Sequence, residues 1–260
     1  MQLFILHPCP IEAARLLCDT HLTSQGKETP QILYTAAHNV GAAITEQFAI
    51  PGVSEPVNPW NPVWVHPCVD WAASGISAFK WTLQHGLAIA DEFEKRYGHK
   101  FRSYYHLKHI ESYLDSIADK LPPNPCGGFG WLDTLPARAE ERITPRLCFD
   151  NAPTGVGYGV VAMDPEFVVP SADGYPNCAE SYRKFYAHKA KRKFVMRWNR
   201  QSEAPELIKT AFRVYFPDVP LLTARPAKPA KPASLADTTL EDVVEYLEAT
   251  SKRKKTQSVG

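Results

Sequence analysis

An apolar stripe at helical spacing in the middle of the chain constrains its fold most. From His66-Pro67-Cys68 onward, apolar or small residues stand at Ala72, Ile76, Phe79, Leu83, Leu87, Ala90 and Phe93, and Tyr97-Gly98 puts a glycine where a helix stops. The spacing predicts one long central helix, whose apolar face other helices must cover. The flanking sequence supplies them. Ile11 through Leu22 carries Ala14, Leu17, Cys18 and His21 at helical spacing. Gly26 and Pro30 then interrupt the pattern, and Thr29-Pro30 reads as a cap and first turn restarting a helix through Ile32, Leu33, Ala36 and Ala37. Further helices are expected from about Ser103 to Leu121, from Cys178 to Tyr186 and from Leu207 to Phe216. Leu3-Phe4-Ile5-Leu6 reads as a brief buried strand or extended segment. Residues 49–67, rich in proline and aromatics, read as a structured loop. Residues 126–170 read as loop with a glycine turn at Gly155–Gly159 and one candidate strand at Val160-Val161-Ala162.

The expected fold is therefore mainly α, a compact helical domain with a long central helix and little β structure, spanning residues 1–221. Residues 222–236 are a proline-alanine-lysine linker. Residues 237–251 form a short amphipathic C-terminal helix, opened by the capping box Thr238 to Glu241 and striped by Leu240, Val243, Val244 and Leu247. So short a helix is marginal alone, so it is expected to dock on the main body, a second copy or a partner protein. Residues 252–260 are a basic tail. The chain has no apolar run of bilayer length and no basic leader, and its six cysteines are scattered. Reduced thiols, no membrane and a cytoplasmic location are the expectation.

Polar groups cluster in one apolar stretch: Cys18-Asp19-Thr20-His21-Leu22, followed seven residues after the histidine by Glu28 beside Lys27. Burying such groups is costly unless they are paired, so they form either a satisfied internal network or a working site. In the second case Glu28 is the acid/base, His21 orients or shuttles a proton and Asp19 fixes the imidazole tautomer, with His66 and Tyr97 close by. The alternative for Glu28 is a helix acid facing water.

Net charge is only +1, but no acid lies between Glu180 and Glu203, an interval holding Arg183, Lys184, Lys189, Lys191, Arg192, Lys193, Arg197 and Arg200. Tyr182, Phe185, Tyr186, Phe194 and Trp198 are interleaved with them. Cations meet phosphates and flat side chains stack on bases, so Arg183, Lys184, Lys191, Arg192, Lys193, Arg197, Trp198 and Arg200, with Lys27, are the expected DNA contacts. The competing reading is a solvated helix face whose aromatics belong to the core. His7-x-Cys9, Cys18-x-x-His21 and His66-x-Cys68 could ligate zinc, but with no Cys-x-x-Cys pair no metal or cofactor is assigned.

Cys18-Asp19-x-His21-Leu22 with Glu28, and the segment from His66 through Trp71, Phe79, Leu83 and Phe93 to Arg96-Tyr97-Gly98, resemble the endonuclease V-type pyrimidine-dimer DNA glycosylases over about the first hundred residues. The chain is also similar, over most of residues 1–205, to phage proteins sharing Cys-Asp-x-His, His-Pro-Cys and Arg-Tyr-Gly elements. The glycosylase resemblance implies a helical fold, a nucleotide flipped from double-stranded DNA, attack on C1′ by an N-terminal amine, and a glutamate that assists ring opening. Glu28 matches that glutamate and Lys27 the arginine before it. Two departures are visible: Gln31 stands where the family has a second basic residue, and Gln2 is too bulky for removal of Met1 to be expected. The first expectation is a base-flipping, DNA glycosylase-like enzyme acting on a pyrimidine nucleotide. The second is a phage DNA base-hypermodification transferase with a small-molecule donor. The third is a non-catalytic DNA-binding accessory protein.

Overall fold

The computed structural model describes residues 3–62, 66–122, 146–148, 158–160, 164–170, 177–191, 196–198 and 204–218. The chain divides into a unit of Met1–Thr223, which holds all of these, and a second of Ala224–Gly260. The linker, amphipathic helix and basic tail expected at the C-terminus lie outside the described residues.

The described fold is mainly helical. In chain order the elements are α1 (Pro10–Leu16), α2 (Asp19–Asn39), α3 (Pro67–Ala73), α4 (Ile76–Tyr97), α5 (Ser103–Ser112), α6 (Leu114–Ala118), strands β1 (Arg146–Cys148) and β2 (Tyr158–Val160), a 3-10 turn (Pro165–Phe167), α7 (Cys178–Lys191) and α8 (Glu206–Tyr215). The strands pair antiparallel, Arg146 opposite Val160. Part of the expected glycine turn, Tyr158 and Gly159, is thus strand. α4 packs against α1, α2, α3 and α5, and α7 against α8. The core runs through Leu3, Leu17, Leu33, Phe79, Trp81 and Ile89. No helix among the described residues is long and apolar enough to cross a membrane.

Three expectations about helix limits change. The central stripe forms two helices, because the Ser74 hydroxyl donates to the Trp71 carbonyl at 2.6 Å and Gly75 caps a new start. Its C-terminal stop is as expected, Gly98 taking the left-handed conformation at φ 80°. The first helix does not run through to Leu22 but breaks at Leu17-Cys18, while the break expected at Gly26–Pro30 does not occur. Side chains from distant elements hold the break open. Arg96 donates to the carbonyls of Arg15 (3.1 Å) and Leu17 (2.8 Å), the Trp198 indole N–H to that of Leu16 (3.2 Å), and the Tyr186 hydroxyl oxygen accepts the Cys18 N–H (2.8 Å). Several of the groups a helix end leaves unpaired are thus engaged by side chains there.

At Pro30 the missing N–H costs one bond to Gly26, yet α2 continues because its flanks are buried against α3, α4 and α5. Gly26 leaves room for the Phe101 ring: a Cβ there would stand 2.8 Å from the ring's Cζ. Gly86 on α4 does the same for Leu107 and Thr29, at 2.8 and 2.9 Å. Leu3–Leu6 is buried and extended, outside any sheet.

Candidate functional site

At the first turn of α2, Asp19 Oδ1 accepts from Arg96 Nη1 at 3.0 Å, while Arg96 Nε donates to Glu92 at 2.8 Å. The guanidinium is 1% exposed and the Asp19 carboxylate 13%. Together with the two carbonyls it takes from the α1–α2 break, Arg96 binds both sides of that junction. The Arg-Tyr-Gly element of the sequence is thus a structural clasp, with Tyr97 half-buried against Phe93 at 4.5 Å between ring centres.

His21, two residues further, is 7% exposed. Its Nδ1 lies 3.4 Å from the Cys18 sulfur, and its ring packs on Phe4 at 4.7 Å and Tyr186 at 5.0 Å. Burial, with the Lys189 charge adding to it, pushes its pKa down to about 3, so the imidazole is neutral at pH 7. A neutral ring with Nδ1 on a thiol sits in a dry aromatic cage.

His66 is the N-cap of α3, its Nδ1 accepting the Cys68 N–H at 3.2 Å. His7 accepts the Cys9 N–H in the same way, at 3.0 Å, just before α1. Both His-x-Cys spacings are therefore local turns at a helix start, with proline at the first helical position in each, and of the two histidines only His66 is itself the cap. Among the described residues no group of three or more His, Cys, Asp or Glu could hold a metal ion.

Glu28 is half-buried on α2. Because α2 is continuous, Glu28 shares a face with His21 two turns earlier, a rise of about 10 Å. Its charge acts on two groups. Burial pushes the fully buried Cys68 thiol up to about 12, and Glu28 and Asp70 add to the rise. Burial likewise lowers the Lys189 amine, against the opposing pull of Cys18 and Glu28. Leu3 N–H donates to Cys68 Sγ at 3.4 Å, so the N-terminal segment arrives at the same thiol. Lys189 Nζ lies 5.1 Å from the Phe185 ring centre and 5.5 Å from that of Phe4. Cys68 and Lys189 thus both meet the N-terminal segment, at Leu3 and Phe4, and the charge of Glu28 acts on each of them.

Lys189 was visible in sequence only as one cation of the basic run. Its signal is its position one turn after Tyr186, on the α7 face that packs on Phe4 and His21. The expected DNA contacts divide. Trp198 is 5% exposed and bonded to Leu16, and Tyr182 and Tyr186 are fully buried. These aromatics are core, and a side chain sealed there offers no face to a base. Arg183 is paired with Glu180, and Lys184 donates to the Glu166 carbonyl at 2.7 Å. Arg197 and Lys27 are exposed. Arg192, Lys193, Arg200 and the Lys191 side chain lie outside the described residues.

No curated protein and no solved structure matches the chain. Residues 1–105, from the buried N-terminal segment through α4 to the first turn of α5, match the family model described as pyrimidine dimer DNA glycosylase.

Proposed function

We propose that this protein is a DNA glycosylase-like enzyme that draws a pyrimidine nucleotide out of the duplex and cleaves its glycosidic bond, with Glu28 as acid/base. The carrying observation is the place of Glu28: half-buried, beyond the sealed Asp19–His21 turns, with its charge acting on both Cys68, where the N-terminal segment arrives, and Lys189. The family match of residues 1–105 supports DNA as the substrate.

In this reading an amine bonds to C1′ as the C1′–N1 bond breaks, and the departing base takes the proton the amine gives up. Glu28 then takes the remaining proton from that nitrogen and delivers it to O4′ as the C1′–O4′ bond breaks and the sugar ring opens to the imine. Asp19 and His21 act by fixing α2 and the Phe4 segment, and His66 by fixing the start of α3. Lys27, Arg197 and the basic residues after Lys189 meet phosphates, which an enzyme that extrudes a base requires.

The test is a duplex carrying a cyclobutane pyrimidine dimer, incubated with and without borohydride. The expected result is base release and a covalent protein–DNA adduct, both lost in Glu28→Gln while duplex affinity stays near that of the parent. Unchanged activity in that variant rules out the assignment of Glu28. Intact DNA with no adduct rules out glycosidic cleavage and favours group transfer to the base.

A further inference from the structure

Lys27, next to Glu28 on α2, lines a different space. A cavity of about 1020 Å³ lies between α2, the loop after it and the start of α5. That is the upper end of the range small-molecule sites occupy.

Inside it, the Tyr34 hydroxyl lies 3.4 Å from Nδ1 of His106, and both residues are buried, at 3% and 1% exposure. Trp60, from the proline-rich loop, stacks on His106 with ring centres 4.1 Å apart and planes at 25°, and Phe48 meets the same ring edge-on at 4.9 Å. Burial, with the Arg102 and His109 charges, holds His106 down to about 4, so it is neutral at pH 7. In the tautomer whose Nδ1 accepts the Tyr34 proton, Nε2 carries the imidazole hydrogen.

The rest of the lining points to the kind of ligand. Lys27 and Arg102 both contribute, and among the described lining residues there is no carboxylate. Arg102 and His106 stand four residues apart at the start of α5, on one face. Asn58 and Asn61 bring amide groups that can pair with a heterocycle's edge. Trp60 is half-buried, stacks on His106 and lines the cavity, where an aromatic surface suits a planar ring.

We infer that this cavity is a nucleotide site, taking a nucleoside monophosphate unit with its ring against Trp60 and its phosphate between Lys27 and Arg102. Neither Glu28 nor Lys189 lines it, and Lys27 is the one residue this inference shares with the glycosidic reading. The same chemistry is offered by a free nucleotide and by one nucleotide of a DNA strand.

Calorimetric titration of thymidine 5′-monophosphate into the full-length protein tests it. One-to-one binding is expected, weakened about ten-fold or more by Arg102→Gln, which removes a charge-assisted contact. Arg102 is exposed, so that change leaves the fold intact. Thymidine and inorganic phosphate, each carrying part of the ligand, should bind more weakly than the nucleotide. Displacement of the nucleotide by an oligothymidylate strand identifies a strand as the source; binding without displacement identifies a free nucleotide. Absence of saturable binding into the millimolar range overturns the inference, as does binding that Arg102→Gln leaves unchanged. Base release by the parent and by Glu28→Gln is read separately, so failure of one proposal is distinct from failure of the other.

Discussion

Asp19 and Glu28 are carboxylates on the same helix, nine residues apart, in opposite surroundings. Asp19 is held by a guanidinium that is 1% exposed and also binds Glu92 and two backbone carbonyls. Glu28 is half-buried, and its charge acts on an amine and a thiol at the end of the N-terminal segment. The first pairing fixes a break between two helices. The second leaves a carboxylate beside groups that can exchange protons with a ligand. A cluster of polar residues that looks like one site in sequence is, in this account, a frame followed by a working group.

The frame should be the more costly to break. Arg96→Met leaves Asp19, Glu92 and two carbonyls without their donor, and removing one partner of a buried charge network costs about 3–5 kcal/mol. Urea unfolding of this variant should show a loss of that size. A loss under about 1 kcal/mol, the scale of a surface pair, would make the clasp dispensable.

Acid attacks the same region. His21 and His85 are buried and neutral, with pKa values pushed down to about 3 and about 4, burial being the first cause in each. The unfolded chain takes up these protons near pH 6.5 and the folded chain does not, so stability is full above pH 6.5 and declines as pH falls toward 4. The decline is about 1.4 kcal/mol per group per pH unit. Melting temperatures measured from pH 7 to 5 should fall steadily, and the His85→Gln variant should fall less steeply. A flat profile would mean that these rings are open to water.

Smaller effects come from the close approaches that let α2 pass its neighbours. Gly26→Ala drives a Cβ into the Phe101 ring and Gly86→Ala one into Leu107 and Thr29. Each should destabilise by about 1–3 kcal/mol in denaturant unfolding. The basic run sharpens the comparison last. Arg183 and Lys184 are engaged within the protein. Neutralising Lys191, Arg192 and Lys193 should therefore flatten the salt dependence of DNA affinity by about 0.9 in log–log slope per lost phosphate contact. Arg183→Gln should leave that slope almost unchanged.

Local pattern made much of this fold legible. The stripe from Ile76 to Phe93, its stop at Gly98, the start of α5 at Ser103 and the bounds of α8 follow from spacing and terminal residues alone. The misplaced break in the first helices was not legible, because Arg96, Tyr186 and Trp198 create it from 79 to 182 positions away. Nor did Pro30 end its helix, since burial on both sides outweighs one lost bond. In the proposed site, Glu28 and Lys27 stood out by type and neighbours. Lys189 did not, because among so many cations its distinction is only where α7 lies. The cavity was invisible for the same reason: Trp60, Tyr34 and His106 belong to three separate segments, and none is unusual in its own.

The central claim is that the frame and the working group on α2 separate. Asp19→Asn and Glu28→Gln, each assayed for melting temperature and for base release from a dimer-containing duplex, test it directly. The account predicts that Asp19→Asn loses about 1–3 kcal/mol of stability, the scale of a broken buried charge-assisted bond, yet releases base while folded. Glu28→Gln should melt with the parent and lose about 100-fold or more in rate. Base release at the parental rate by a folded Glu28→Gln, or its abolition in a folded Asp19→Asn of unchanged melting temperature, would contradict the account.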